Sequence, residues 1–122
     1  MVKALFDSNI LIDLLQSHDE ARAEIARFDD RAISIVTWME VMVGASEESQ
    51  SNTRAFLAGF ARIELDDAVA QRAVDLRRKH RIKLPDAIVW ASAQAQGRLL
   101  VTRNTKDFPA DDPGVRIPYG LS

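Results

Sequence analysis

Four acidic side chains, Asp7, Glu40, Asp86 and Asp107, each lie after a predicted strand, within a turn of its end, or at a predicted helix start. In an open parallel sheet the carboxyl ends of the strands lie at one edge, where ligands usually bind. Carboxylates gathered there repel one another, so some must protonate or a divalent cation must neutralise them. Oxygen ligands favour Mg²⁺ or Mn²⁺ over zinc. The sequence therefore predicts an acidic divalent-cation site.

An acidic site of this kind favours phosphodiester chemistry over ion storage. Mg²⁺ retains several waters and binds through one or two protein carboxylates together with substrate phosphate oxygens. A cation so placed would help to generate hydroxide for in-line attack on phosphorus and would stabilise the leaving oxygen, more so if a second ion joined it. No side chain need form a covalent bond in such a reaction.

Each acid, taken alone, has a purely structural alternative. Asp7 and Asp86 could simply complement the dipoles of the helices that they open. Glu40 could be the far half of a capping box that begins at Thr37. Asp107 could be a surface residue in a turn. The joint pattern, and no single residue, favours a site.

The composition excludes several classes of protein. The chain has 122 residues, enough for one compact domain over 1–122, and 47% hydrophobic and 28% charged residues are typical of a globular fold. The absence of cysteine excludes disulfides and thiolate metal sites. No apolar run is long enough to span a membrane, and residues 1–6 are too few for a signal sequence, so we expect a cytoplasmic protein. A net charge of −2 leaves nucleic-acid binding to a local basic patch.

The hydrophobic pattern alternates between strands and helices. Strands are predicted over 2–6, 32–36, 63–65 and 99–102, and helices from near 9, over 19–28, 37–44, around 56–60, from a cap at 66–67 to near 80, and over 85–95. We predict a polar loop over 46–52 and an irregular tail after Pro109. Strands separated by helices indicate a mainly parallel sheet with helices on both faces, which is an α/β fold.

Four segments together resemble the PIN-domain family and, within it, the VapC-type toxins. They are LFDSNILIDLL at 5–15, TWMEVMVGA at 37–45, LPDAIVWASAQAQG at 84–97 and LLVTRNTKDF at 99–108. One such segment would be weak evidence, but four in the family's order and with family-like spacing, spread over nearly the whole chain, are specific. The resemblance implies a single PIN domain with a three-layer α/β/α fold, an acidic pocket holding Mg²⁺ or Mn²⁺, and cleavage of RNA, with a tRNA or ribosomal RNA as the expected substrate.

The resemblance also implies roles for individual residues. Asp7, Glu40, Asp86 and Asp107 match the family's catalytic and metal-binding acids, with Asp7 and Asp86 the first candidates for direct metal ligands. The positions of Asn9, Thr102 and Asn104 match polar residues that orient carboxylates or water around the metal.

Basic and aromatic residues near these motifs have two explanations each. Arg103 lies beside the last acids, and we predict that it binds the RNA backbone. The run from Arg77 to Lys83 either binds RNA or complements a helix C-terminus. Trp38 and Trp90 either stack on unpaired bases or belong to the core, which is the more usual place for such residues.

The resemblance implies a VapB-type antitoxin as the partner. Toxins of the VapC type are neutralised by a small antitoxin whose tail crosses the acidic groove and offers an arginine to the carboxylates. We expect a homodimer or a toxin–antitoxin hetero-oligomer. A phosphotransferase of the haloacid-dehalogenase type would need an acid at position 9, where Asn9 stands. The remaining alternative is a PIN-like binding module whose site has decayed, although all four acids are present.

Overall fold

A sheet of five parallel strands forms the centre of the molecule, for which a computed structural model describes residues 2–121. The order across the sheet is β3-β2-β1-β4-β5, and every neighbouring pair is parallel. The strands are β1 (Lys3–Phe6), β2 (Asp30–Ser34), β3 (Ala61–Ile63), β4 (Leu99–Val101) and β5 (Val115–Arg116). The prediction of a parallel sheet is confirmed.

Helices cover both faces of the sheet. They are α1 (Ser8–Leu15), α2 (Asp19–Ala26), α3 (Ile35–Val43), α4 (Gln50–Leu57), α5 (Asp67–His80) and α6 (Leu84–Ala95). Side chains alternate across β1, because Ala4 and Phe6 join the core with α1 to α4 while Leu5 joins the core with α5 and α6. These two cores make the three-layer α/β/α fold that the resemblance implied.

The start of α3 corrects one prediction. The sequence predicts a strand over 32–36 and a capping box at Thr37, but the strand ends at Ser34 and the Ser34 hydroxyl caps the helix, accepting a hydrogen bond from Val36 N at 3.1 Å. Thr37 lies inside the helix and is fully buried. The β-branched pair Ile35 and Val36 has high strand propensity, which the serine cap and helix packing override.

Three further boundaries differ from prediction. Helix α4 begins at Gln50, inside the predicted loop, and β3 ends at Ile63 instead of starting there. Strand β5 lies in the predicted irregular tail and pairs with β4. It has only two residues, directly after Gly114, so no hydrophobic period could reveal it.

The strand order reverses direction between β1 and β4. The chain proceeds from β1 outward through β2 to β3, then returns to the other side of β1 to build β4 and β5. The backbone N–H of Asp7 donates to the Val101 carbonyl at 2.9 Å, which joins the two strand ends. Such a reversal opens a crevice at the carboxyl edge of a sheet, and Asp7 lies at its centre.

Candidate active site

Asp7 is the most constrained of the four acids. It ends β1 and caps α1, with Oδ1 accepting from Ser8 N at 2.8 Å, and it is only 4% exposed. Its Oδ2 accepts from Thr102 Oγ1 at 2.8 Å and from Asn9 Nδ2 at 3.2 Å. Burial raises the pKa of Asp7, and the hydrogen bonds from Thr102, Ser8 and Asn9 oppose that rise. Three donors thus fix the carboxylate in orientation.

The loop after β4 carries Asp107 and its partner. Asn104 Nδ2 donates to Asp107 Oδ2 at 3.0 Å, and the Asp107 backbone N–H donates to Asn104 Oδ1 at 3.1 Å. The Asn104 backbone N–H donates to Thr102 Oγ1 at 3.0 Å, which ties this loop to the Asp7 contacts. The hydrogen bond from Asn104 holds the pKa of Asp107 below its ordinary value.

Asp86 lies in the first turn of α6 and interacts electrostatically with Asp107. Burial, the charge of Asp7 and a hydrogen bond with Asp107 together raise the pKa of Asp86 to about 7.

Glu40 completes the group from the second turn of α3. Partial burial of its carboxyl group and then the negative charge of Asp7 raise its pKa, although the residue as a whole is exposed. The structure thus brings all four predicted acids within electrostatic reach of one another. As the side chains stand, no three acid or imidazole groups in residues 2–121 close around a single ion.

The donor set fits a hard divalent cation. The groups that converge are carboxylates, supported by the hydroxyl of Thr102 and the amides of Asn9 and Asn104. Oxygen ligands of this kind suit Mg²⁺ or Mn²⁺. Burial and the negative charge of Asp7 raise the pKa of Asp86, and a cation would neutralise that negative charge.

The structure gives Arg103 a partner other than RNA. Its guanidinium forms two hydrogen bonds with Asp13, which is 3% exposed, and Tyr119 donates to the same carboxylate at 2.8 Å. The predicted role of Arg103 as a free phosphate-binding cation is not supported by this placement. Sequence reasoning missed Asp13, although its position one turn after Asn9 on a helix was a usable signal.

Two lysines also act on the acids. Lys83 and Lys106 are exposed, and after the larger effect of Asn104 their charges help to lower the pKa of Asp107. In the run from Arg77 to Lys83, Arg77 Nη1 donates to the Ile82 carbonyl and so helps to close the end of α5. This contact favours the helix-end explanation for Arg77.

The two tryptophans have different environments. Trp90 is 1% exposed and packs edge-to-face on Phe108, with ring centres 5.8 Å apart, so it belongs to the core. Trp38 is half-buried, and the guanidiniums of Arg54 and Arg62 lie 5.4 and 5.3 Å from its ring centre. The stacking explanation is therefore excluded for Trp90.

An apolar groove of about 370 Å³ adjoins the acids. It runs between α1, α3 and α4, and Glu40 forms part of its wall beside Ile12 and Leu15. Leu15 and Val43 expose 46% and 86% of their surface. The acidic site thus continues into an apolar surface.

The sequence profile of the PIN domain matches residues 4–110. The chain belongs to the PIN-domain family. Ribonuclease VapC10 of Mycobacterium tuberculosis is 33% identical over 113 residues, covering 86% of this chain and 85% of that protein. These matches confirm the resemblance to the PIN-domain family and to its VapC-type members.

Solved structures agree with this assignment of the PIN domain. A chain of a toxin-antitoxin complex from Klebsiella pneumoniae has 48% identity and a TM-score of 0.92, covering 98% of this chain and all of that chain (100%). VapBC2 from Rickettsia felis, bound to a DNA fragment from its promoter, has a chain with 21% identity and a TM-score of 0.76, covering 94% and 96% of the two chains. The second likeness concerns the fold alone. Within residues 2–121, none of the helices has the length and apolar character that crossing a bilayer requires.

The proton on Asp86 predicts an unusual pH dependence for the metal-free PIN domain. The folded chain holds this proton up to a pKa of about 7, whereas the unfolded chain releases it near 3.8. Between these values the folded state binds more protons, so its stability falls as pH rises through about 7. We expect the melting temperature in EDTA to decrease from pH 6 to pH 8 more steeply in the wild type than in Asp86→Asn. Other titrating groups contribute equally to the pH dependence of both proteins. If the melting temperatures of the wild type and Asp86→Asn fell equally between pH 6 and pH 8, the raised pKa of Asp86 would be contradicted.

Proposed function

We propose that this PIN domain is a Mg²⁺- or Mn²⁺-dependent endoribonuclease that acts as the toxin of a VapBC-type pair. The observation that carries the proposal is the convergence of Asp7, Glu40, Asp86 and Asp107 at the strand-order reversal, where they perturb one another's pKa values. The 33% identity with Ribonuclease VapC10 supports RNA as the substrate class. Within that class, a tRNA or ribosomal RNA is the substrate that the resemblance implies.

The four acids would divide the work of holding the ion. Asp7 at the end of β1 and Asp86 in the first turn of α6 would be the direct ligands, with Glu40 and Asp107 completing the acidic wall. When bound, a divalent cation supplies an activated water and stabilises the charge that develops on a phosphodiester. Thr102 and Asn9 keep Asp7 oriented for this task through their hydrogen bonds.

Asp86 would have to be ionised to serve as a ligand, because a divalent cation binds the charged carboxylate, so ligation would be linked to loss of the proton that its raised pKa favours. Lys83 and Lys106 flank Asp107 and carry the charge that could hold neighbouring phosphates of the RNA backbone. We assign phosphate contacts to these lysines because the Arg103 guanidinium is bound to Asp13.

Cleavage by the purified chain tests the proposal. We expect RNA to be cut with Mn²⁺ or Mg²⁺ and left intact with EDTA, and we expect Asp7→Asn and Asp86→Asn to reduce the rate by at least about 100-fold because both remove a charged ligand. Glu47→Gln, which removes an exposed acid outside the site, is the matched control and should cleave normally.

Two outcomes would contradict the nuclease proposal. Equal cleavage by the wild type and both Asp variants would indicate a contaminating enzyme. No cleavage by a folded wild type that still binds an antitoxin would favour the decayed binding module instead.

We further propose that the cognate VapB-type antitoxin binds in the apolar groove beside Glu40. An amphipathic segment would bury Ile12 and Leu15, and an adjoining arginine would reach the carboxylates. The toxin-antitoxin complex from Klebsiella pneumoniae, whose chain is 48% identical, supports a hetero-oligomeric assembly of this kind.

A charge placed in the groove tests this binding mode. Leu15→Glu should weaken antitoxin binding by at least about tenfold, because it forces a carboxylate into an apolar interface. Val74→Glu is the matched control, since Val74 is similarly exposed (40% against 46%) but lies on α5 in the opposite layer. Calorimetric titration with the antitoxin measures both, and equal affinities for the two variants would contradict the groove assignment.

A further inference from the structure

We infer that Asp13, Arg103 and Tyr119 are positioning residues, which hold the Asn9 amide in the orientation that Asp7 needs to bind a cation. This inference rests on the proposed function and extends it to a group of residues behind the acidic site. None of the three touches the acids directly through its side chain in the described hydrogen bonds.

The three side chains form a closed cluster around the buried Asp13. Arg103 Nε and Nη2 donate to Asp13 Oδ2 and Oδ1 at 2.6 and 2.9 Å. Tyr119 Oη donates to Asp13 Oδ2 at 2.8 Å. A two-point bond between a planar guanidinium and a carboxylate fixes angle as well as distance. Burial of Asp13 makes the loss of either partner costly, so the cluster holds Arg103 firmly.

Arg103 transmits this constraint to Asn9 through its backbone. The Arg103 N–H donates to Asn9 Oδ1 at 3.1 Å. The oxygen of the amide therefore faces Arg103, and its nitrogen faces the site, where it donates to Asp7 Oδ2 and Thr102 Oγ1, each at 3.2 Å. A flipped amide would turn an oxygen toward the Asp7 carboxylate and replace a hydrogen bond with repulsion.

The spacing along α1 explains why a single residue can do this. Asn9 and Asp13 are four residues apart on the same helix and lie on one face. Arg103 spans that turn, with its backbone at Asn9 and its side chain at Asp13. Tyr119, near the end of the described chain, adds a third contact, so the segment after β5 is coupled to the cation site.

The alternative is that this cluster only stabilises the fold, and the chain contains a matched control for it. Glu24 and Arg116 form a second two-point ion pair, at 2.5 and 2.9 Å, between α2 and β5. The Glu24 side chain is as buried as that of Asp13, at 5% against 4%. The Arg116 carbonyl accepts from Thr102 N at 3.1 Å in the pairing of β4 with β5, but none of the described hydrogen bonds joins the second pair to Asn9 or directly to the four acids.

Calorimetric titration with Mn²⁺ alone, together with thermal unfolding without the ion, tests the inference. We expect Arg103→Gln and Arg116→Gln to lower the melting temperature to a similar extent. Only Arg103→Gln should weaken Mn²⁺ binding, by about tenfold or more, as is usual for groups that orient metal ligands. Tyr119→Phe removes one hydroxyl, should stay folded, and should weaken Mn²⁺ binding less than Arg103→Gln does.

The outcomes separate this inference from the proposed function. If Arg103→Gln binds Mn²⁺ as tightly as the wild type, or if Arg116→Gln weakens binding equally, the inference is overturned and the proposed function stands. If Arg103→Gln does not fold, unchanged Mn²⁺ affinity in Tyr119→Phe overturns it instead. A wild type that binds no Mn²⁺ would refute the cation site itself, and the positioning role with it.

Discussion

Repulsion between carboxylates is the constraint around which this molecule is arranged. Four acids meet at one edge of a sheet, and each ionised group makes the next harder to ionise. The structure manages this in three ways. Three hydrogen-bond donors hold Asp7. The pKa of Asp86 is raised to about 7, which favours its neutral form, and Glu40 stays exposed. The negative charge that remains would be neutralised by the divalent cation that we propose for this site.

The fold supplies the convergence that this constraint requires. Because the strand order reverses between β1 and β4, Asp7 and the loop from Thr102 to Asp107 come from opposite ends of the chain yet lie side by side. The helices α3 and α6 then bring Glu40 and Asp86 from the two faces of the sheet. The acids are therefore collected from all three layers, which ties the site to the integrity of the whole domain.

The sequence predicted the layers, the parallel sheet and the acids, because strand ends and helix starts are readable from hydrophobic period and capping residues. Asp7 and Asp86 lie at such junctions, and the structure places them at the crevice. The predicted start of α3 was wrong because Ile35 and Val36 have high strand propensity, whereas their helical conformation depends on packing. Strand β5 was too short to show a period.

Contacts between distant residues were beyond sequence reasoning. The Asp13 carboxylate accepts hydrogen bonds from Arg103 and Tyr119, which are 90 and 106 positions away, and no local sequence pattern predicts such contacts. For the same reason Arg103 was predicted as a free cation from its neighbours in the sequence. Because Asp13 binds the Arg103 guanidinium, we propose Lys83 and Lys106 for substrate contact and a positioning role toward Asn9 for Arg103.

The central claim is that these acids gather around a divalent cation, and anomalous diffraction from a crystal grown with Mn²⁺ tests it most directly. The account predicts a peak between Asp7 and Asp86, with carboxylate oxygens at roughly 2.0–2.2 Å, close to the distances of a Mg²⁺ site. An ion bound elsewhere, or no peak near these acids in a crystal soaked with excess Mn²⁺, would contradict it.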